Sequence, residues 1–206
     1  MNIFKSKVFV RTLVGMAASL LAVAFIFIAL NSGYFLKQLK FLFYKPQITQ
    51  EQSPEIDNTE DKGQPNQINI PSLGIRAPIV EPAESNEQSF QEALKTGVVH
   101  YPGTAEVGQP GNAYLFAHSS DLAFKGGDYK TVFALLPSIP KGADIVVSNK
   151  DGQIFHYEVT DSFVANNDDV HLLEQKTNGE KRLTLQTSYP IGTALKRWIV
   201  VSKLRE

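Results

Sequence analysis

Asp144 to Thr160 reads DIVVSNKDGQIFHYEVT. Two runs rich in β-branched and aromatic residues flank Asp151-Gly152, a dipeptide suited to the primed turn whose twist matches paired strands. The stretch therefore predicts a hairpin of 144–150 with 153–160. Alternation puts Phe155, Tyr157 and Val159 on one apolar face and turns His156 outward as a solvated strand residue. Working outward, similar short runs recur between turn residues. INI (68–70) and IRAPIVEP (75–82) flank a turn at Pro71–Gly74, and GQPGN (108–112) feeds AYLFA (113–117). RLTLQT (182–187) and RWIVVSKL (197–204) supply the last two strands. Short strands at this spacing predict a mainly β domain, a barrel or a sandwich. One helix is expected over Glu87–Lys95, with a Ser85/Gln88 capping box and a stop at Gly97. TVFALL (131–136) fits a helix or a strand equally.

The N-terminal third has a different character. Thr12–Leu30 is 19 residues long and carries no charge, the length that spans a bilayer's hydrocarbon core as a helix. Lys5, Lys7 and Arg11 precede it, so the positive-inside tendency keeps residues 1–11 in the cytoplasm and exports the rest. The run is longer than a signal-peptide core and no small-x-small site follows Leu30, which favours an uncleaved single-pass anchor over a signal peptide. Tyr34, Phe35, Phe41, Phe43 and Tyr44 alternate with lysines, a pattern for a helix end at the lipid headgroups. Residues 31–67 read as a juxtamembrane segment and flexible linker, since Pro46–Gln67 is polar, acidic and without aromatics. Residues 68–206 form the folded body, about 139 residues, enough to bury a full core.

The 206 residues carry a net charge of −1 with 43% hydrophobic residues. Residues 1–45 hold +6, residues 46–67 hold −4 and the body −3. A mildly acidic body argues against nucleic acid as a partner, and the basic N-terminal segment points to membrane lipid. With no cysteine, disulfides, thiolate metal sites and a cysteine nucleophile are excluded.

Among residues that can carry chemistry, His171 sits in a polar stretch and reads as surface, and His100 before a turn reads as structural or groove-lining. His118 follows a buried strand and opens a Ser-Ser-Asp loop, the kind of place where a scaffold positions catalytic groups. In LTLQTSYP (183–190), Leu183, Leu185 and Thr187 share one face, and Thr184, Gln186 and Ser188 the other. Ser188 thus ends a strand on its polar side. Arg197 opens the final strand nine residues later; pairing of the two strands would bring it back near Ser188. Asp168 and Asp169 lack ligand-spaced partners. Gly126–Gly127 and the turn at 108–111 lack the strand–loop–helix setting of a phosphate loop.

Taken in order, the anchor, the tether, INIPSLGIRAPIV, VVHYPGTAEVGQPGNAYLFAHSS, VFALLPSIPKGADIVV, IFHYEV, LTLQTSYP and KRWIVVSKL resemble the sortases, the membrane-anchored transpeptidases of bacterial surfaces. The likeness runs through nearly all of 68–206. It implies a closed sortase-type β-barrel of about eight strands with one or two short helices, beside the N-terminal transmembrane helix. It implies a His–Cys–Arg active site, whose histidine falls on His118 and whose arginine falls on Arg197. The glycine often found before the histidine is Ala117 here. The Thr-Leu-x-Thr-Cys motif falls on Thr184–Ser188, so the nucleophile position holds Ser188. The implied substrates are a Leu-Pro-x-Thr-Gly-type sorting peptide of surface proteins and an amine acceptor, a cell-wall peptide or pilin lysine. No cofactor and no metal are implied, and the body is expected on the outer face of the cell membrane.

Serine at 188 changes the chemistry. A thiol is a few per cent ionised near neutrality, whereas a serine hydroxyl needs a base acting during attack, usually an imidazole oriented by a carboxylate. His118 is the candidate base, and Asp121 is the nearest acid in sequence. Three readings stay open: an engineered replacement of a cysteine, a natural serine variant with weak acyl transfer, or a catalytically inactive relative that binds peptide in the same groove.

Overall fold

The computed structural model describes residues 2–43, 63–120 and 129–205, with side chains from Phe9 onward. Asp121, Gly126–Gly127 and most of the expected tether lie outside the described residues. Eight strands close into a barrel: β1 (Gln67–Ile70), β2 (Ile75–Val80), β3 (Val98–His100), β4 (Gly111–Phe116), β5 (Asp144–Ser148), β6 (Ile154–Asn166), β7 (Lys181–Tyr189) and β8 (Lys196–Leu204). Around the wall they run β1-β2-β3-β4-β7-β8-β6-β5, with β1 bonded to β5 to complete the ring. Closure leaves no open edge, and the barrel strands carry most of the apolar core. Ile68, Ile70, Val98, Val99, Leu115, Ile145, Val147, Tyr157, Leu183 and Leu185 are fully buried there. The expected barrel of eight strands is what the chain forms.

The hairpin that decides the fold pairs β5 with β6, Ser148 opposite Ile154. Its connection differs from the expected two-residue turn. The Gly152 N–H donates to the Asn149 carbonyl (3.0 Å), and the Asn149 N–H donates to the Gln153 carbonyl (3.0 Å). Asn149 Oδ1 accepts from the Asp151 and Gln153 N–H groups at 3.0 Å each. That side chain closes a longer turn, and Gly152 (φ 80°) takes the left-handed position that ends it. As expected, His156 is exposed, with Nδ1 3.0 Å from Asp144 Oδ2, while Tyr157 between its neighbours is fully buried. The hydroxyl of Tyr157 accepts from the Gly108 N–H at 2.8 Å. The strand runs past the expected Thr160 to Asn166, with a bulge between Val159 and Asp161.

Helix α3 spans Glu87–Ala93. Its cap is Asn86 rather than Ser85. Asn86 is extended (φ −141°, ψ 163°), so its Oδ1 reaches the Ser89 N–H at 2.9 Å, and Ser89 Oγ in turn accepts from the Glu84 N–H at 3.2 Å. Gly97 does not end the helix by a left-handed turn; it lets the chain pass β2, where a Cβ would lie 2.5 Å from the Pro78 carbonyl oxygen. TVFALL is neither of the expected alternatives. It forms buried turns leading into a 3-10 turn at Leu136–Ser138, with Phe133 and Leu136 fully buried.

At the N-terminus, α1 (Asn2–Leu30) and α2 (Ser32–Phe43) are helical. Phe9–Leu30 is a 22-residue helical stretch of mean hydropathy 2.7, long and apolar enough to cross a membrane. Its side chains are mostly exposed, and α2 rests on the barrel, where Phe41 packs against the core.

Candidate active site

The site is built by three adjacent strands, β4, β7 and β8. β4 and β7 run parallel, Leu115 opposite Leu185 and Phe116 opposite Gln186. The bond from the Ala117 N–H to the Gln186 carbonyl (3.1 Å) carries this register past the end of β4, which brings His118 level with Ser188. On the other side, β7 and β8 are antiparallel with Ser188 directly opposite Arg197. Neighbouring strands lie about 5 Å apart, and directly opposed side chains share a face. Thr187 is 1% exposed and faces the core, so Ser188 faces out. The hydroxyl is thus flanked by the imidazole on one side and the guanidinium on the other, all three half-buried and lining one cleft of about 330 Å³.

The backbone around this trio is held from several directions. Thr187 Oγ1 donates to the Ala117 carbonyl (2.8 Å) and Ser119 Oγ to the Ser188 carbonyl (2.9 Å). The Phe133 N–H donates to the His118 carbonyl (3.0 Å), tying the histidine's loop to the 131–136 segment. Arg197 Nη1 donates to the carbonyls of Ala194 (3.0 Å) and Lys196 (3.1 Å). A guanidinium carries five N–H donors, so Nε and Nη2 remain available to a peptide carbonyl.

Alternation along β7 also puts Gln186 in the cleft, where its Oε1 accepts from the Tyr114 hydroxyl at 2.6 Å. Burial pushes the Tyr114 hydroxyl far above its ordinary pKa, only partly opposed by the Arg197 charge, so it stays a donor. Phe90 of α3 and Leu94 at its C-terminal end, with Tyr101 and Phe116, give the cleft an apolar wall, and Asp168 and Asp169 also line it. Gln186 was legible in advance because it shares Ser188's face; the α3 residues were not, because they reach the cleft only through tertiary packing. Asp168 and Asp169, which lack ligand-spaced partners in the sequence, line the cleft. Among the described residues, no group of three or more His, Asp or Glu side chains is arranged to hold a metal.

Of the remaining histidines, His171 is exposed. His100 is structural: it is 6% exposed, with Nδ1 2.7 Å from Glu81 Oε1 and Nε2 3.0 Å from the Ala105 carbonyl. Burial opposes its charged form, but the Glu81 bond and charge and the Ala105 carbonyl outweigh burial and raise its pKa. A raised folded value stabilises the fold fully below the unfolded pKa of about 6.5 and loses that contribution as pH rises through the folded value. The melting temperature should therefore fall on going from pH 6 toward mildly alkaline conditions. In Glu81→Gln this pH-dependent part should shrink, and an unchanged profile would refute the assignment.

Comparison with known proteins agrees with this architecture. The family model for the sortase domain matches residues 68–205, and the chain belongs to the sortase family. Among solved structures, it is similar to a Clostridium perfringens sortase D5 transpeptidase, at 26% identity and TM-score 0.56, covering 68% of this chain and 78% of that one. A pilus-related sortase C of Group B Streptococcus matches at 25% identity and TM-score 0.56, covering 72% and 69%. A Clostridium perfringens sortase C solved with the C-terminal cell wall sorting motif shares the fold at 23% identity and TM-score 0.57, covering 72% and 74%. No curated protein sequence matches at significance.

Proposed function

We propose that the chain is a membrane-anchored transpeptidase that cleaves an LPxTG-type sorting peptide on the outer cell surface and passes the acyl group to an amine. The observation that carries this reading is the register: Ser188 stands between His118 and Arg197 on the outer face of one sheet. The peptide lies in the cleft with its threonine carbonyl over Ser188. Ser188 Oγ attacks that carbon while His118 takes the hydroxyl proton, and Arg197 meets the oxyanion charge. Collapse breaks the Thr–Gly bond, and the departing amine leaves with the proton from His118. An acceptor amine then attacks the ester and gives its proton to His118. Collapse of this second intermediate returns the proton to Ser188 Oγ. Residues 12–30 hold the domain at the membrane, with the body outside.

Incubating the full chain with a quenched sorting peptide and an amine acceptor tests this. Intact mass should show an acyl adduct on Ser188, and His118→Ala should abolish both adduct and turnover. A specific observation favours a second reading, a peptide-binding module without turnover: position 188 holds the less acidic hydroxyl where the family pattern has a thiol. That reading predicts saturable peptide binding with no adduct, and it fails if the chain turns over in a His118-dependent way.

A further inference from the structure

A second cleft, of about 370 Å³, lies between α2 and the barrel, away from Ser188. Its rim carries three cations, Lys37 and Lys40 from α2 and Arg76 from β2, and among the described residues no carboxylate lines it. Its floor is apolar, with Phe41, Leu73 and Val132 among its lining. Arg76 and Lys40 are exposed and make no ion pair among the described residues. Lys37 is half-buried, its Nζ donating to the Thr131 carbonyl at 2.6 Å, and burial lowers its pKa. Three cations that line one cleft repel one another, and an anion seated among them relieves that repulsion and the desolvation of Lys37.

Position says where the anion comes from. Only Asn31 separates α1 from α2, so Lys37 lies roughly 10 Å of helix beyond the apolar span, at the depth of lipid headgroups. An apolar floor under a cationic rim suits a molecule with a charged head and a hydrocarbon tail, more than a free ion. We propose that this cleft binds the phosphate headgroup of an anionic membrane lipid, with Lys37, Lys40 and Arg76 around the phosphate and the first acyl methylenes over Phe41 and Leu73. The inference rests on the anchor reading above. It goes beyond general attraction of a basic segment to the membrane, because it requires Arg76, which belongs to the barrel.

The test uses the full chain in a neutral detergent, titrated with dihexanoyl phosphatidylglycerol, dihexanoyl phosphatidylcholine or inorganic phosphate, and read by calorimetry and native mass spectrometry. Phosphatidylglycerol should bind one to one and more tightly than phosphatidylcholine. Arg76→Gln should weaken it about fivefold, the effect of removing one cation near an anionic headgroup. Lys95→Gln, the same charge change in the turn after α3, should leave it unchanged. Equal binding of phosphatidylcholine, or Arg76→Gln without effect, overturns the proposal. Inorganic phosphate binding as tightly as the lipid overturns the lipid assignment in favour of a free-anion site. Failure of the anchor reading is separately visible, as extraction of the chain from membranes by alkaline carbonate.

Discussion

Ser188→Cys is expected to raise the rate of acylation by a sorting peptide on the order of 10²- to 10⁴-fold, the range that separates an assisted from an unassisted proton transfer. The reasoning is local. Ser188 is half-buried and opens onto a cleft, so the slightly larger sulfur enters without repacking the core. The thiol starts from a pKa of about 8.5, and a neighbouring guanidinium, with an imidazolium when His118 is protonated, lowers it further. Attack then no longer waits for a base to remove the proton in the same step. The two proteins should also differ in how they respond to loss of the imidazole. His118→Ala should silence the serine protein, whose hydroxyl needs a base to take its proton during attack. In the cysteine protein it should leave measurable acylation at alkaline pH, where the thiolate forms unaided. Intact mass after peptide addition and initial rates across pH read both effects. If the cysteine protein forms no adduct with the peptide at any pH, the transpeptidase reading is wrong for this chain, whatever its family.

The elements that sequence made legible share one property: their signal is local. Alternation in IFHYEV and LTLQTS put the right residues inside, and the buried Tyr157, Leu183 and Leu185 bear that out. What was not legible depended on partners far along the chain. VVH (98–100) is too short to read as a strand, yet it bridges β2 and β4 by pairing parallel to one and antiparallel to the other. TVFALL was ambiguous because it is buried on all sides by tertiary contacts, which erases any period. The choice of Asn86 over Ser85 as helix cap turned on one extended residue. The family likeness implied a closed barrel of about eight strands, but the barrel order, with β7 between β4 and β8, was not legible in the sequence. That order is what sets Ser188 between His118 and Arg197. The cationic cleft was half legible: the lysines of α2 stood out as a basic segment, but Arg76 lies dozens of residues away and joins them only through the fold.

Arg197→Ala carries the second large effect, a loss on the order of 10²- to 10³-fold in kcat, the usual result of removing one preorganised donor from an oxyanion. The side chain stands opposite Ser188 with its backbone fixed by the β7–β8 ladder, and its Nη1 is already engaged with the Ala194 and Lys196 carbonyls. Those two bonds pin the guanidinium, so little is reorganised as charge develops on the substrate oxygen. Arg197→Lys should recover only part of the loss, because an ammonium cannot hold both carbonyls and still present the planar donors of Nε and Nη2. Measured on the Ser188→Cys protein, where rates are large enough to resolve, kcat and kcat/KM should fall together with KM unchanged. A rise in KM with kcat preserved would instead make Arg197 a substrate-positioning residue with no share in stabilising the transition state. The half-exposed position at a strand end predicts a melting temperature close to that of the parent, which separates lost chemistry from lost fold.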